Sequence, residues 1–131
     1  FSPDGKRLAA GGVDNRIRVW QISDEARETT NPLLYSRFGH EGAILKLAFS
    51  PDGKALASSA DDRTLKLWDF QDMKERLLLE RQSDWVPGLA FNGDGTVLIV
   101  GRLDGNITLY EAEGGKVIVT HQAPEKMAAS A

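Results

Sequence analysis

Hydrophobic and polar residues alternate in short runs along this chain, and turn motifs separate the runs. In the middle of the chain, four runs predict strands over residues 43–49, 55–60, 64–69 and 76–81. In the first of these runs, Leu45, Leu47 and Phe49 share one face, and Ile44 and Ala48 share the other. Apolar residues on both faces indicate burial on both sides. Four short strands joined by turns predict one antiparallel sheet.

One turn motif occurs three times. Phe-Ser-Pro-Asp-Gly begins at Phe1 and Phe49, and Phe-Asn-Gly-Asp-Gly begins at Phe91, so the copies lie 49 − 1 = 48 and 91 − 49 = 42 residues apart. Proline presets φ at the second turn position, and glycine closes the turn. Gly93 replaces this proline in the third copy, which is expected to weaken the turn by about 0.4–1 kcal/mol. Self-similarity at this period predicts a repeat architecture.

The outer copies predict the same elements as the middle one. Strands are expected over 7–10, 16–22 and 33–38 in the first copy, and over 89–91, 97–100, 107–111 and 117–120 in the third. The polar segment 23–32 is predicted to form a surface loop. The predicted fold class is all-β, with about three four-stranded antiparallel sheets, the first of which lacks its inner strand.

Composition narrows the function classes. The net charge of −3 and the lack of any Lys/Arg run predict no nucleic-acid partner. The chain has no apolar stretch near 18 residues, so no membrane span is expected. It has no cysteine, which excludes disulfides, thiolate chemistry and Cys-based zinc sites. No signal in the sequence assigns a compartment, although the cytoplasm is favoured.

At these motifs the sequence resembles the WD-repeat β-propeller family. The residues that carry the resemblance are Gly39-His40, the turn from Ser50 to Gly53, Asp62 and Trp68-Asp69. The resemblance implies four-stranded blades around a central channel. It divides the chain into blades at 1–38, 39–81 and 82–122, and residues 123–131 are expected to begin a further inner strand.

The resemblance also implies a structural hydrogen-bond network in each blade. In the second copy its members are His40, Ser58, Asp62 and Trp68, and their donor and acceptor capacities are complementary. The first copy keeps Asp14 and Trp20, but Ala10 stands at the serine position. The third copy keeps only Asp104, and its network is expected to be broken because different residues replace the other members: Gln82, Val100 and Tyr110.

Two chemical interpretations, a hydrolase triad and a calcium site, are alternatives to the structural hydrogen-bond network. Ser58, His40 and Asp62 are the residue types of a hydrolase triad, but the run Ala-Ser-Ser-Ala around Ser58 lacks a nucleophile elbow. Asp61 and Asp62 lack the spacing of a calcium loop. We therefore expect no catalytic residue, no metal and no cofactor.

The strongest partner-binding candidate is Trp85, together with its neighbour Asp84. In the WD-repeat family an aromatic residue at this point tends to lie on the top face near the channel mouth, and exposed tryptophans are enriched at binding hot spots. The alternative is that Trp85 only packs against a neighbouring blade. The residues before each turn aspartate also face the top in this family: Val13, Asp61 and Leu103.

The predicted function is a non-catalytic scaffold that binds a protein or peptide on the top face. One alternative is an accessory or regulatory propeller attached to an enzyme in further sequence. A propeller enzyme would need a cluster of histidines and carboxylates at the channel mouth, and the chain has only two histidines. Three blades cannot close a propeller, so we expect further blades from a longer chain. A head-to-tail homo-oligomer, with residues 127–131 beside 7–10 of the next chain, is the second option.

Overall fold

The computed structural model describes residues 1–22 and 32–122. Within these ranges the chain forms eleven strands: β1 (Arg7–Gly11), β2 (Arg16–Gln21), β3 (Leu33–Phe38), β4 (Ile44–Phe49), β5 (Ala55–Ala60), β6 (Leu65–Asp69), β7 (Lys74–Leu78), β8 (Gly88–Phe91), β9 (Val97–Gly101), β10 (Ile107–Glu111) and β11 (Val117–His121). The loop predicted over 23–32 lies outside the described residues except for Pro32, and the further strand predicted over 123–131 lies wholly outside them.

The strands form three sheets in chain order. The first sheet is β1-β2-β3, the second is β4-β5-β6-β7 and the third is β8-β9-β10-β11. Every neighbouring pair is antiparallel. The prediction of an all-β chain with about three sheets is confirmed. The exact blade boundaries stay a prediction.

Two details of the second sheet differ from the sequence prediction. The register between β4 and β5 shifts between Ile44 and Lys46, so Leu45 is exposed instead of sharing a face with Leu47 and Phe49. The outer strand is β7 (Lys74–Leu78) rather than 76–81, because the chain already reverses at Met73, which has a φ of 52°. The strand expected over 76–81 therefore begins two residues earlier and ends three residues earlier.

The second sheet is buried on both faces because it lies between the other two. One hydrophobic cluster joins it to the first sheet and includes Ile17, Leu56 and Trp68. A second cluster joins it to the third sheet and includes Leu67 and Val100. All six residues of β5 are buried. This explains why the middle copy carries apolar residues on both faces of its strands.

The three turn motifs adopt the same structure at one end of the sheets. Each is closed by a bond from the glycine N–H to the carbonyl three residues earlier, as in Gly53 to Ser50 at 2.9 Å. The turn glycines have φ values of 71°, 72° and 76°, a conformation that favours glycine. A Cβ added to Gly53 would lie 3.5 Å from Pro3, so successive turns touch.

We call the turn-motif end the bottom face and the opposite end the top face. The top face carries the short turns 12–15, 61–64 and 102–106, and the loops 39–43 and 79–87 that lead into β4 and β8. Strand β4 lies beside β1 on one side and β8 on the other. The top-face loops of the second and third sheets are therefore close together.

Candidate partner-binding site on the top face

A directed chain of hydrogen bonds runs through the second sheet below the top face. The Trp68 indole donates from Nε1 to Ser58 Oγ at 2.9 Å. Ser58 Oγ and His40 Nε2 lie 2.7 Å apart, and His40 Nδ1 lies 2.5 Å from Thr64 Oγ1. The Thr64 hydroxyl donates to Asp62 Oδ1 at 2.6 Å. All four predicted residues lie along this chain, and Thr64 is a member that the sequence reasoning missed.

The direction of the chain assigns the proton on His40. Because the Thr64 hydroxyl donates to Asp62, its oxygen accepts from His40 Nδ1–H, and Nε2 is left to accept from Ser58. Burial lowers the pKa of His40 to about 4, although the Asp62 carboxylate opposes this shift. Burial alone would raise the pKa of Asp62, but hydrogen bonds from Thr64 and from the backbone N–H of Glu41 lower it. The neutral ring and the ionised carboxylate satisfy every bond in the chain.

The same geometry does not suit a hydrolase triad. His40 Nδ1 is 3.8 Å from Asp62 Oδ1, and Thr64 stands between them. Ser58 has no exposed surface, so its hydroxyl has no access to a substrate. Among the described residues, no group of three or more His, Asp or Glu side chains could hold a metal ion.

In the first sheet the turn aspartate has a different partner from its counterpart in the second sheet. Asp14 forms an ion pair with Arg18, which lowers the pKa of Asp14. Trp20 is half-buried, and Ala10 offers its indole no hydroxyl. Asp14 therefore pairs with an arginine, whereas Asp62 in the second sheet accepts from a threonine.

The third sheet has no hydroxyl at the serine position, where Val100 stands, and it contains a different hydrogen-bond network. Gln82 Nε2 donates to Tyr110 Oη at 3.0 Å, and the buried Arg102 donates to Gln82 Oε1 at 2.7 Å. Arg102 also donates to Thr108 Oγ1 at 2.7 Å. Arg102 takes the place that Ala60 has in the second sheet, and its long side chain connects polar groups that the family pattern does not provide. Asp104 lies beside this set: its carboxylate forms a 3.9 Å ion pair with Arg102 and accepts from Ser83 at 3.0 Å.

Trp85 lies on the top face at the junction of the second and third sheets. Its side chain is 46% exposed, and its indole Nε1 donates to the backbone carbonyl of Asp61 at 3.1 Å. Its backbone N–H donates to the Asp84 carboxylate at 2.8 Å. The indole is therefore held in one orientation by the second sheet while much of its surface faces solvent. It contacts the neighbouring sheet and remains exposed, so the two readings of Trp85 are compatible.

The predicted residues Trp85, Asp84 and Asp61 line one cavity of about 330 Å³. The cavity is also lined by Arg63 and Arg81, which the sequence reasoning missed. Arg63 follows the turn aspartate Asp62 with a φ of 64°, and its backbone carbonyl accepts from Gln82 N–H at 2.9 Å. Its position directly after the turn aspartate is the one feature of the sequence that could have indicated Arg63 as a top-face residue. The cavity is therefore lined by both acidic and basic residues.

The two remaining predicted contact residues lie outside this cavity. Leu103 is 40% exposed, and its backbone N–H donates to the Trp85 carbonyl at 3.0 Å, so it borders the same surface. Val13 is 92% exposed in the top-face turn of the first sheet. The structure therefore brings four of the five predicted residues together: Trp85, Asp84, Asp61 and Leu103.

The described residues contain no helix that is long and apolar enough to cross a membrane.

Comparisons with known proteins agree with this architecture. A family model described as WD domain, G-beta repeat, matches residues 1–21 and 31–69. A model described as Anaphase-promoting complex subunit 4 WD40 domain matches residues 78–129. Protein HIR1 from Kluyveromyces lactis is 52% identical over 31 residues, which cover 24% of this chain and 4% of that protein.

Two solved structures share the fold over 95% of the chain. "Structure of U3-55K" has a TM-score of 0.84 and 22% identity, and "Crystal structure of RRP9 WD40 repeats" has a TM-score of 0.83 and 22% identity. The chain spans 38% and 37% of those two chains. Because repeat models match all three sheets and the fold agrees with known repeat structures, this chain belongs to the WD-repeat family and forms a segment of a β-propeller.

Proposed function

We propose that this segment is a non-catalytic interaction scaffold that binds a protein or peptide partner through the top face around Trp85. WD-repeat domains are generally protein-interaction scaffolds, and the finer assignment to one surface rests on Trp85. An exposed indole that is held by the neighbouring sheet is the observation that carries the proposal. The alternative of a propeller attached to an enzyme stays a prediction.

The geometry supports binding at low entropic cost. The indole N–H of Trp85 donates to the Asp61 carbonyl within the protein, so the indole is already oriented before a partner arrives. Ordering of side chains and loops normally reduces affinity, and a preorganised surface avoids much of this cost. The cavity of about 330 Å³ lies at the lower end of the range of ligand pockets, which is roughly 300–1,000 Å³. It suits one or two side chains of a partner.

The test compares the partners of the intact protein before and after substitution. We expect Trp85→Ala and Leu103→Ala to reduce recovery of at least one partner in quantitative affinity purification by about tenfold, as for other hot-spot residues. Leu78→Ala is the matched control, because Leu78 is 57% exposed but belongs to the outer strand β7. Val13→Ala measures how far the surface extends along the top face.

The thermal midpoint of each variant separates binding from folding. Trp85→Ala removes a half-exposed side chain and one hydrogen bond to the Asp61 carbonyl, so its midpoint should fall by only a few degrees. Unchanged recovery of every partner in folded Trp85→Ala and Leu103→Ala would exclude the proposed surface.

A further inference from the structure

The top-face loops at the junction of the second and third sheets are rich in carboxylates. Segments 39–43, 61–64, 79–87 and 102–106 carry six acidic residues: Glu41, Asp61, Asp62, Glu80, Asp84 and Asp104. The same segments carry three arginines, Arg63, Arg81 and the buried Arg102, and His40 is neutral. The net charge of these segments is therefore 3 − 6 = −3. A field of this sign attracts cationic groups to the junction.

Two of these carboxylates lie beside the exposed indole. Asp84 precedes Trp85 and accepts its backbone N–H, and Asp61 accepts the indole N–H through its backbone carbonyl. Among the described residues, neither side chain takes part in an ion pair. Both carboxylates line the cavity with the indole. An aromatic face and two acidic groups thus meet at one opening.

We propose that this cavity binds a basic side chain, arginine or lysine, of a partner peptide. The cation lies over the Trp85 indole and pairs with the carboxylates of Asp61 and Asp84. Tryptophan has the ring that attracts cations most strongly, and the attraction grows when the pair is partly removed from water. This inference rests on the proposed function and specifies the chemistry that the top face recognises.

Arg63 and Arg81 line the same cavity and favour the opposite ligand, an acidic side chain. They could pair with an acidic side chain, but that side chain would enter segments whose net charge is already −3. The indole N–H donates to the Asp61 backbone carbonyl and the Trp85 backbone N–H donates to the Asp84 carboxylate, whereas no cation–π pair among the described residues joins Arg63 or Arg81 to the indole. The observations therefore favour a basic side chain, and an acidic one is an outcome of the test.

Three small probes distinguish these chemistries in the intact protein: N-acetyl-arginine amide, the uncharged isostere N-acetyl-citrulline amide, and N-acetyl-glutamate amide. The readout is the NMR resonance of the Trp85 indole N–H, assigned by its loss in Trp85→Phe. We expect the arginine probe to shift this resonance saturably, the citrulline probe to bind about fivefold more weakly, and the glutamate probe to cause no shift.

Charge-removing variants test which groups receive the cation. Asp61→Asn and Asp84→Asn keep the shape of the side chains, and together they should weaken binding of the arginine probe by about fivefold. Asp69→Asn is the matched control, because Asp69 lines a groove on the bottom face. Equal binding of arginine and citrulline probes, or an unchanged affinity in the double variant, would overturn the proposal.

The outcomes also separate this inference from the proposed function. Preferential binding of the glutamate probe, lost in Arg63→Gln with Arg81→Gln, overturns the basic-side-chain assignment and leaves the top face as the binding surface. If no probe shifts the resonance but Trp85→Ala still loses partners, the basic-side-chain assignment is again overturned and the top face is again left as the binding surface. If no probe shifts the resonance and Trp85→Ala retains all partners, both proposals are wrong.

Discussion

The His40 ring has opposite roles at its two nitrogens, because Nδ1 donates to Thr64 and Nε2 accepts from Ser58. Both roles are filled only while the ring is neutral. In the folded protein the pKa of His40 is about 4, compared with about 6.5 in an unfolded chain. Below pH 6.5 the unfolded state therefore takes up a proton that the folded state does not.

This difference predicts acid sensitivity with a definite sign. The stabilisation is fully present above pH 6.5 and is lost as the pH falls to about 4. Over that range we expect the free energy of unfolding to fall by about 3 kcal/mol, since each pKa unit corresponds to about 1.4 kcal/mol. Urea unfolding of the intact protein at several pH values measures this slope. His40→Gln should flatten it, and an equal slope in that variant would show that other groups are responsible.

Thr64 connects His40 to Asp62, and a pair of substitutions isolates its hydroxyl. Thr64→Val keeps the volume but leaves His40 Nδ1–H without its acceptor and removes one of the two donors to Asp62 Oδ1, the other being the Thr64 backbone N–H. Stranding such groups costs about 1–3 kcal/mol. We expect that loss of unfolding free energy in Thr64→Val and a much smaller one in Thr64→Ser, which retains the hydroxyl. Equal losses in the two variants would assign the effect to packing instead.

At the residue scale, the sequence identifies residues that belong to a known motif. It does not identify residues that only the folded chain brings close to them. His40, Ser58, Asp62 and Trp68 could be found because the repeat motif names them. Thr64 is two residues beyond Asp62, but only the folded turn shows that its hydroxyl lies between the carboxylate and the ring. Arg81 lies in the same top-face loop as Trp85 and lines the cavity beside it, and no local pattern indicates this.

The three turn motifs provide a natural comparison at the scale of an element. The third turn closes with the same backbone bond as the others, from Gly95 N–H to Asn92 at 3.0 Å, although Gly93 replaces proline. Gly93 has no positive φ, and a Cβ there would meet no atom within 4 Å. Proline is therefore compatible with the native backbone at this position.

We predict that Gly93→Pro raises the free energy of unfolding by about 0.4–1 kcal/mol, chiefly by restricting the unfolded chain. Chemical denaturation of the intact protein measures the change. Pro51→Gly is the reciprocal control and should lower stability by at least as much, because Pro51 also touches the next turn at Gly95. Destabilisation by Gly93→Pro would mean that the third turn differs in conformation from the second.

Most strands could be predicted because alternating residues and turn motifs both mark them. The exceptions arise where local geometry changes the register. A bulge turns Leu45 away from the face of Leu47, and the reversal at Met73 starts β7 early. The third network could not be predicted from motif residues, since it depends on the reach of the buried Arg102 from a position where the second sheet has alanine.

At the scale of the molecule, the second sheet depends on both of its neighbours. Its β5 is buried along its whole length between the two hydrophobic clusters, whereas all five residues of β11 are exposed at the edge of the third sheet. Opening β5 to water requires separating packed sheets, but opening β11 breaks only one strand pairing. The two strands should therefore exchange amide hydrogens by different routes.

Hydrogen exchange of the intact protein measures this difference. We expect β5 amides to exchange only through global unfolding, so that their rates follow denaturant stability, and β11 amides to exchange through local opening with little dependence on denaturant. Leu67→Ala opens the cluster between the second and third sheets, so it should speed exchange of β5 while leaving β11 almost unchanged. Equal rates in the two strands would contradict the layered arrangement, because β5 should open only when the packed sheets separate.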